Sequence, residues 1–248
     1  MYKGFYNLTS SMLTHQRNLD VVGNNLVNIS TAGFKQSRYT ATTFDDVIYN
    51  KVGNRQKIYQ EIGRQSYIRA NSEIYVSHDQ GIPEPTEIPL DFCIVGEGFF
   101  AVQRDNGVVY TRAGSFTLDE EGFLCFPGLG RVLDPQGQTI QLGTDKIYAD
   151  DRGNIYTENH EQLGQVGVYV FEDPQQLEFN EQGVFTGAGA VADPNTQVLW
   201  KYLERSNTDM IQQMTEMLTC QRALQSAAQV SKMYDELMTK ATTDVGRM

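Results

Sequence analysis

Residues 5–29 read FYNLTSSMLTHQRNLDVVGNNLVNI. Within them Phe5, Leu8, Met12, His15, Leu19, Val22, Leu26 and Ile29 fall at alternating spacings of three and four, and seven of the eight are apolar. Such a seam predicts a coiled-coil helix with one polar interruption, His15, which in this setting sets register rather than ligates a metal. A helix of about 25 residues is about 37 Å long. Ser30-Thr31-Ala32-Gly33 ends it, because Gly33 tolerates the left-handed backbone that closes a last turn. Asn24, Asn25 and Asn28 are poor helix-interior residues. Two readings account for them: fraying near the helix end, or amides that make directional hydrogen bonds to neighbouring helices in a packed assembly, where an unpaired amide costs about 1–3 kcal/mol.

The carboxyl end repeats the device. Cys220, Ala223, Ala227, Val230, Tyr234, Leu237 and Ala241 again alternate three and four, and Met210, Met214, Met217 and Leu224 widen the apolar face. No Gly or Pro interrupts residues 207–241, and Ser206 or Asn207 is the expected N-cap of a helix about 50 Å long. Both terminal helices therefore have an apolar stripe that must be buried against something.

Between them, short apolar runs alternate with turn signals: Asp105-Asn106-Gly107, Asp119-Glu120-Glu121-Gly122, Asp134-Pro135-Gln136-Gly137 and Asp151-Arg152-Gly153-Asn154. Strands are expected at Val108–Thr111, Phe123–Phe126, Thr139–Leu142, Asn154–Thr157 and Val166–Phe171, in an antiparallel sheet. The passage 82–89 contains three of the seven prolines and reads as an extended boundary. The fold class is thus α+β, with N- and C-terminal coiled-coil helices flanking a mainly antiparallel β domain. Its expected divisions are a helix over 1–35, an extended arm over 36–87 with Tyr39, Phe44, Ile48, Tyr59, Tyr67 and Tyr75 spaced through it, a β domain over 88–200 and a second helix over 201–248.

Composition narrows the function. The net charge of −11 is uneven: residues 1–70 have 9 basic and 4 acidic side chains, 71–200 have 5 and 21, and 201–248 have 6 and 6. An acidic middle argues against nucleic-acid binding, which needs clustered Lys and Arg. No apolar run comes near the roughly 20 residues of a membrane-spanning helix, and the first 25 residues lack the compact apolar core of a cleavable signal. Cys93, Cys125 and Cys220 suit neither a disulfide framework nor a zinc site and read as small apolar residues.

Chemistry-bearing motifs are scarce. His15, His78 and His160 lie on separate elements with no ligand partner at helical spacing, and no HExxH, P-loop, GxSxG or GxGxxG pattern occurs. Gly96-Glu97-Gly98 leads into Phe99-Phe100 and reads as a tight turn between strands. The acidic groups at 119–121 and 150–151 sit in hairpin turns, where Asp and Glu are favoured by local hydrogen bonding. No catalytic residue, cofactor or metal is expected.

The run from Leu19 to Lys35, with Asn24-Asn25-x-x-Asn28 followed by Thr31-x-Gly33-Phe34-Lys35, resembles the amino-terminal signature of bacterial flagellar axial proteins, the rod, hook and hook-associated subunits. Val95-Gly96-Glu97-Gly98-Phe99-Phe100, Tyr110-Thr111-Arg112-Ala113-Gly114-Ser115-Phe116 and Leu203-Glu204-Arg205-Ser206-Asn207 followed by Gln221-Arg222-Ala223 agree with it. The resemblance implies a non-enzymatic subunit exported by the flagellar type III system without a cleaved signal. Such a subunit stacks helically with copies of itself and sister rod or hook proteins, transmits torque, and inserts into no membrane. About 110 residues of β sequence leave no room for the additional outer domain of a hook subunit, which points to the rod. The expected assembly contacts are Leu8, Met12, Leu19, Val22, Leu26, Ile29, Leu224, Val230, Tyr234 and Leu237, with Asn24, Asn25 and Asn28 orienting them. Rival readings are a secreted oligomeric adhesin or carbohydrate-binding β module with coiled-coil termini, and a hydrolase using Asp119, Glu121 or Asp150.

Overall fold

A computed structural model describes residues 2–43, 47–52, 59–65, 69–104, 107–174, 177–180 and 183–247. Phe44, Tyr67 and the first two residues of the Asp105-Asn106-Gly107 turn lie outside them. The chain forms two units. One comprises 1–26, 37–75 and 210–248, the other 27–36 and 76–209.

The helical unit contains α1 (Tyr2–Val27) and α2 (Met210–Val245). Asn25 donates to Gln213 Oε1 at 3.1 Å, Asn18 to Cys220 Sγ at 3.2 Å and to Glu216 Oε1 at 3.1 Å, and a side chain on Gly4 would meet the Tyr234 hydroxyl. The contacts run antiparallel and hold one register along both helices, a length of about 32 Å at 1.5 Å per residue. α1 stops at Val27, so Ile29, the last expected seam position, falls in the turn that follows. α2 starts at Met210. Ser206 and Asn207 do not cap it: the Ser206 hydroxyl accepts from Thr208 N, and the Asn207 amide is engaged by residues 36, 77 and 79.

The expected arm is built of strands. β1 (Ser37–Thr43) pairs with β4 (Arg69–Val76), and β2 (Val47–Val52) pairs antiparallel with β3 (Tyr59–Gln65) through a bulge at Tyr49/Asn50. No helix among the described residues is long and apolar enough to cross a membrane.

The β unit contains β5 (Pro83–Pro85), β6 (Phe92–Val95), β7 (Phe99–Arg104), β8 (Gly107–Thr111), β9 (Thr117–Leu118), β10 (Leu124–Phe126), β11 (Gly130–Val132) and β12 (Ile147–Ala149). It continues with β13 (Asn154–Thr157), β14 (Gln162–Gln165), β15 (Val168–Val170), β16 (Glu178–Asn180), β17 (Val184–Thr186), β18 (Val191–Ala192), β19 (Gln197–Trp200) and β20 (Tyr202–Glu204). The ladders between these strands are antiparallel. β7 is central: β8 covers one edge, while β15 and β11 share the other. Both of its faces are buried. Phe100 and Val102 enter the main core with Phe92, Leu124, Val132 and Ile155, and Phe99 and Ala101 enter a second cluster with Tyr110, Phe171 and Phe185. Burial on both sides explains an uninterrupted run, Phe99–Val102, where a half-buried strand would alternate.

The expected strand at Thr139–Leu142 is not formed. Ile140 and Leu142 are buried, but this segment joins its neighbours through single bridges, Phe123 to Gln141 and Leu133 to Thr139. The proline passage supplies β5, an exposed strand that pairs with β20, the position where a residue without an N–H is tolerated.

Candidate functional site

Gly33 brings the chain into the β unit at φ +70°, with its Cα so close to Ala113 that a Cβ would lie 2.4 Å from the Ala113 nitrogen. Only glycine fits there. Phe34 is buried edge-on to the Phe179 ring, and Lys35 follows it inside. The Lys35 ammonium, 2% exposed, donates to Glu204 Oε1 at 2.7 Å and to the Asp79 carbonyl at 2.8 Å.

Glu204 ends β20 and is the hub. Its Oε2 accepts from Arg112 Nε at 2.6 Å, and its Oε1 also accepts from the Gly81 amide at 2.7 Å. Its backbone carbonyl accepts from Gly33 N at 2.8 Å. Arg112 also donates from Nη1 to the Gly98 carbonyl and from Nη2 to the Gly96 and Ile94 carbonyls, so it pins the turn between β6 and β7. Three residues on, Asn207 accepts from Gln36 N at 2.7 Å and donates to the Ser77 and Asp79 carbonyls, both at 3.0 Å. Burial pushes the Lys35 ammonium down from its ordinary value, and Glu204 beside it pulls the other way. Burial, with Glu204 adding, pushes the neighbouring Cys93 thiol up to about 11, so it stays protonated and inert.

This knot has little to offer a substrate. Each carboxylate oxygen of Glu204 has a partner, and breaking a buried pair by removing one member leaves an uncompensated charge. Its capacity is mechanical: four segments distant in sequence meet at one carboxylate.

The acidic turns are likewise spent on structure. Asp119, Asp134 and Asp150 each accept, through Oδ1, the amides two and four residues on, with a positive-φ glycine between at 122, 137 and 153. The Phe123 amide holds the Asp119 carboxyl below its ordinary value, with Arg131 adding to the effect. Arg131 also pairs with Glu121. Among the described residues no group of three His, Cys, Asp or Glu side chains is placed to hold a metal ion. One cleft of the β unit is lined by Phe171, Leu177 and Val191 and another by Asn28, Phe34 and Phe126, and neither lining includes a histidine or cysteine.

The expected assembly residues fall into two groups. Val22 is buried, and Leu8, Met12, Leu19, Leu26, Ile29, Leu224 and Tyr234 are half-buried. Val230 and Leu237 are exposed, Leu237 at 65%, as are Ile211, Met214, Leu218 and Met233. The asparagines also differ. Asn24 is exposed and Asn28 half-buried, whereas Asn25 is 1% exposed with its amide engaged inside its own chain, donating to the Ser37 carbonyl and Gln213 and accepting from Ser37 N. Residue-by-residue reading of the sequence missed the knot. Its three charges, Lys35, Arg112 and Glu204, each stand in a motif already singled out in the sequence, but only Arg112 is the one charge of its motif, since Asp20 and Arg205 accompany the other two.

Comparison with known proteins finds the same three motifs. Residues 5–35 match the family described as flagella basal body rod protein, 93–187 the flagellar hook protein FlgE/F/G D1 domain, and 201–244 the flagellar basal body rod FlgEFG protein C-terminal segment. The chain is 31% identical to the flagellar basal-body rod protein FlgG of Bacillus subtilis (strain 168), over 96% of this chain and 97% of that protein. It belongs to the flagellar basal-body rod protein family. Other relatives are FlgG of Caulobacter vibrioides, 28% identical over 92% of this chain and 94% of that protein, and FlgF of Mesorhizobium japonicum, 26% identical over 99% of both. Lys35, Arg112 and Glu204 each lie in a different one of the three family segments, so the knot ties together the parts of the chain by which this rod-protein family is recognised.

Proposed function

We propose that the chain is a structural, non-enzymatic subunit of the bacterial flagellar basal-body rod. It leaves the cell through the flagellar export apparatus, assembles helically with copies and sister axial proteins, and helps transmit torque. The observation that carries this reading is the match to rod proteins over nearly the whole of both chains. The antiparallel pair of terminal helices supports a coiled-coil inner layer in the assembly, and the apolar side chains exposed on α2 support packing against neighbouring subunits. Contacts that repeat by a rotation that does not close yield a filament rather than a ring. Asn24 and Asn28 orient contacts between subunits on this reading, while Asn25 serves its own chain.

The test is complementation of a strain lacking the gene. Leu19→Asp, and separately the exposed pair Met233→Asp with Leu237→Asp, should abolish incorporation into isolated basal bodies and abolish swimming, with the β unit's thermal transition nearly unchanged. Normal amounts of either variant in basal bodies would refute the assignment of these stripes. A gene deletion that leaves rods and motility intact would refute the rod reading itself.

A further inference from the structure

Two cations, Lys35 and Arg112, are buried in the β unit, and the anion that pairs with both is Glu204. The cations are in place by residue 112, yet their partner lies 92 residues beyond Arg112 and 169 beyond Lys35. Buried like charges without a counter-ion are strongly disfavoured. A chain lacking Glu204 therefore keeps Lys35 and Arg112 hydrated, and the segments they hold stay loose. The same short stretch also supplies β19 beside β6, β20 beside β5, the Trp200 indole donating to the Pro89 carbonyl at 2.7 Å, and the Asn207 amide that holds Gln36.

We propose that residues 197–207 are a completion latch: the hairpins of the β unit form first, and the unit locks only when Glu204 enters between Lys35 and Arg112. The latch makes the integrity of the entry segment 33–36 conditional on the arrival of a segment near the far end of the chain, so an incomplete polypeptide presents no finished β unit. This inference does not depend on the rod reading.

Pulse-labelled hydrogen exchange during refolding of the full chain tests it. The Gly33, Gln36 and Gly81 amides, which end on Glu204 or Asn207, should gain protection in the slowest phase, at least about tenfold later than the amides of β13 and of the β7–β8 hairpin. Glu204→Gln should speed native-state exchange at Gly33 and Gly81 by at least about tenfold, with β13 amides changing less than about twofold. Protection of these latch amides together with or before the hairpin amides would overturn the proposal, as would a Glu204→Gln protein whose Gly81 exchange is unchanged. If Glu204→Gln does not fold, the order of protection in the unaltered chain still decides.

Discussion

His160 stands at φ +60° in the place that Gly122, Gly137 and Gly153 take in the three aspartate turns. Thr157 replaces the aspartate there, with its hydroxyl accepting from Glu161 N at 3.2 Å. One backbone shape is thus built four times, three times by Asp-x-x-Gly and once by Thr-x-x-His. Gly153→Ala should cost about 1–2 kcal/mol by forcing a Cβ into the left-handed region, whereas His160→Gly should change stability by less than about 1 kcal/mol, relief of strain offsetting the added chain entropy. Urea unfolding of the two variants checks this, and equal losses would contradict it. His78 is the other informative histidine. It lies between the Phe99 and Phe185 rings with Nδ1 buried and unpartnered among the described residues. Burial, and then Lys35, lowers its pKa below the ordinary 6.5. The folded state therefore prefers the neutral ring. The stability this confers is complete above pH 6.5 and is lost as pH falls below it. Denaturation midpoints should drop between pH 7 and pH 5, and His78→Phe should flatten that slope; an unchanged slope would remove His78 from the account.

At the scale of the element, the terminal helices were the most legible feature, because an alternation of three and four over seven turns has no cheap alternative explanation. Their inward faces were less so. Along α2 the covered positions run Cys220, Ala223, Ala227 and then Ser231, Tyr234 and Met238, while Val230 and Leu237 of the expected seam point out. A straight helix drifts about 20° per heptad from a strict seven-residue repeat, so after two heptads the buried line passes to the next residue. Asn25 shows the same limit: its sequence context announces an amide with work to do, but not that the work is within the chain. Asn25→Ala should destabilise the helical unit by about 1–3 kcal/mol, since Gln213 and the Ser37 amide would both lose a partner in a buried place. Loss of helical signal at a lower temperature in circular dichroism checks it, and an unchanged transition would show that water replaces the amide without cost. Glycine turns made most strands readable, but Thr139–Leu142, flanked by Gly137 and Gly143, forms only single bridges, because buried apolar side chains specify a place in the core without specifying a ladder.

Across the whole molecule the charge follows the two units. Residues 27–36 and 76–209 contain 22 acidic and 8 basic side chains, while the remaining residues contain 9 and 12. Copies brought side by side would place strongly acidic units near one another, and their repulsion reaches about 30 Å at 0.01 M salt but only about 8 Å at 0.15 M. Self-association of the purified chain, followed by light scattering, should therefore speed up as salt rises over that range; slower association at higher salt would show that opposite charges draw the copies together. The buried knot was invisible as a site at this scale, although each of its residues lay in a motif that marked the family. No local pattern reports that Lys35 and Glu204, 169 residues apart, share a hydrogen bond. The antiparallel register of α1 and α2 has a mechanical corollary. Asn25 meets Gln213 at the end where α1 finishes and α2 starts, while Gly4 meets Tyr234 at the other. A tug that separates the chain at residues 27 and 210 thus peels the pair one turn after another, at low force, whereas a load spread along the axis of both helices must slide every turn at once.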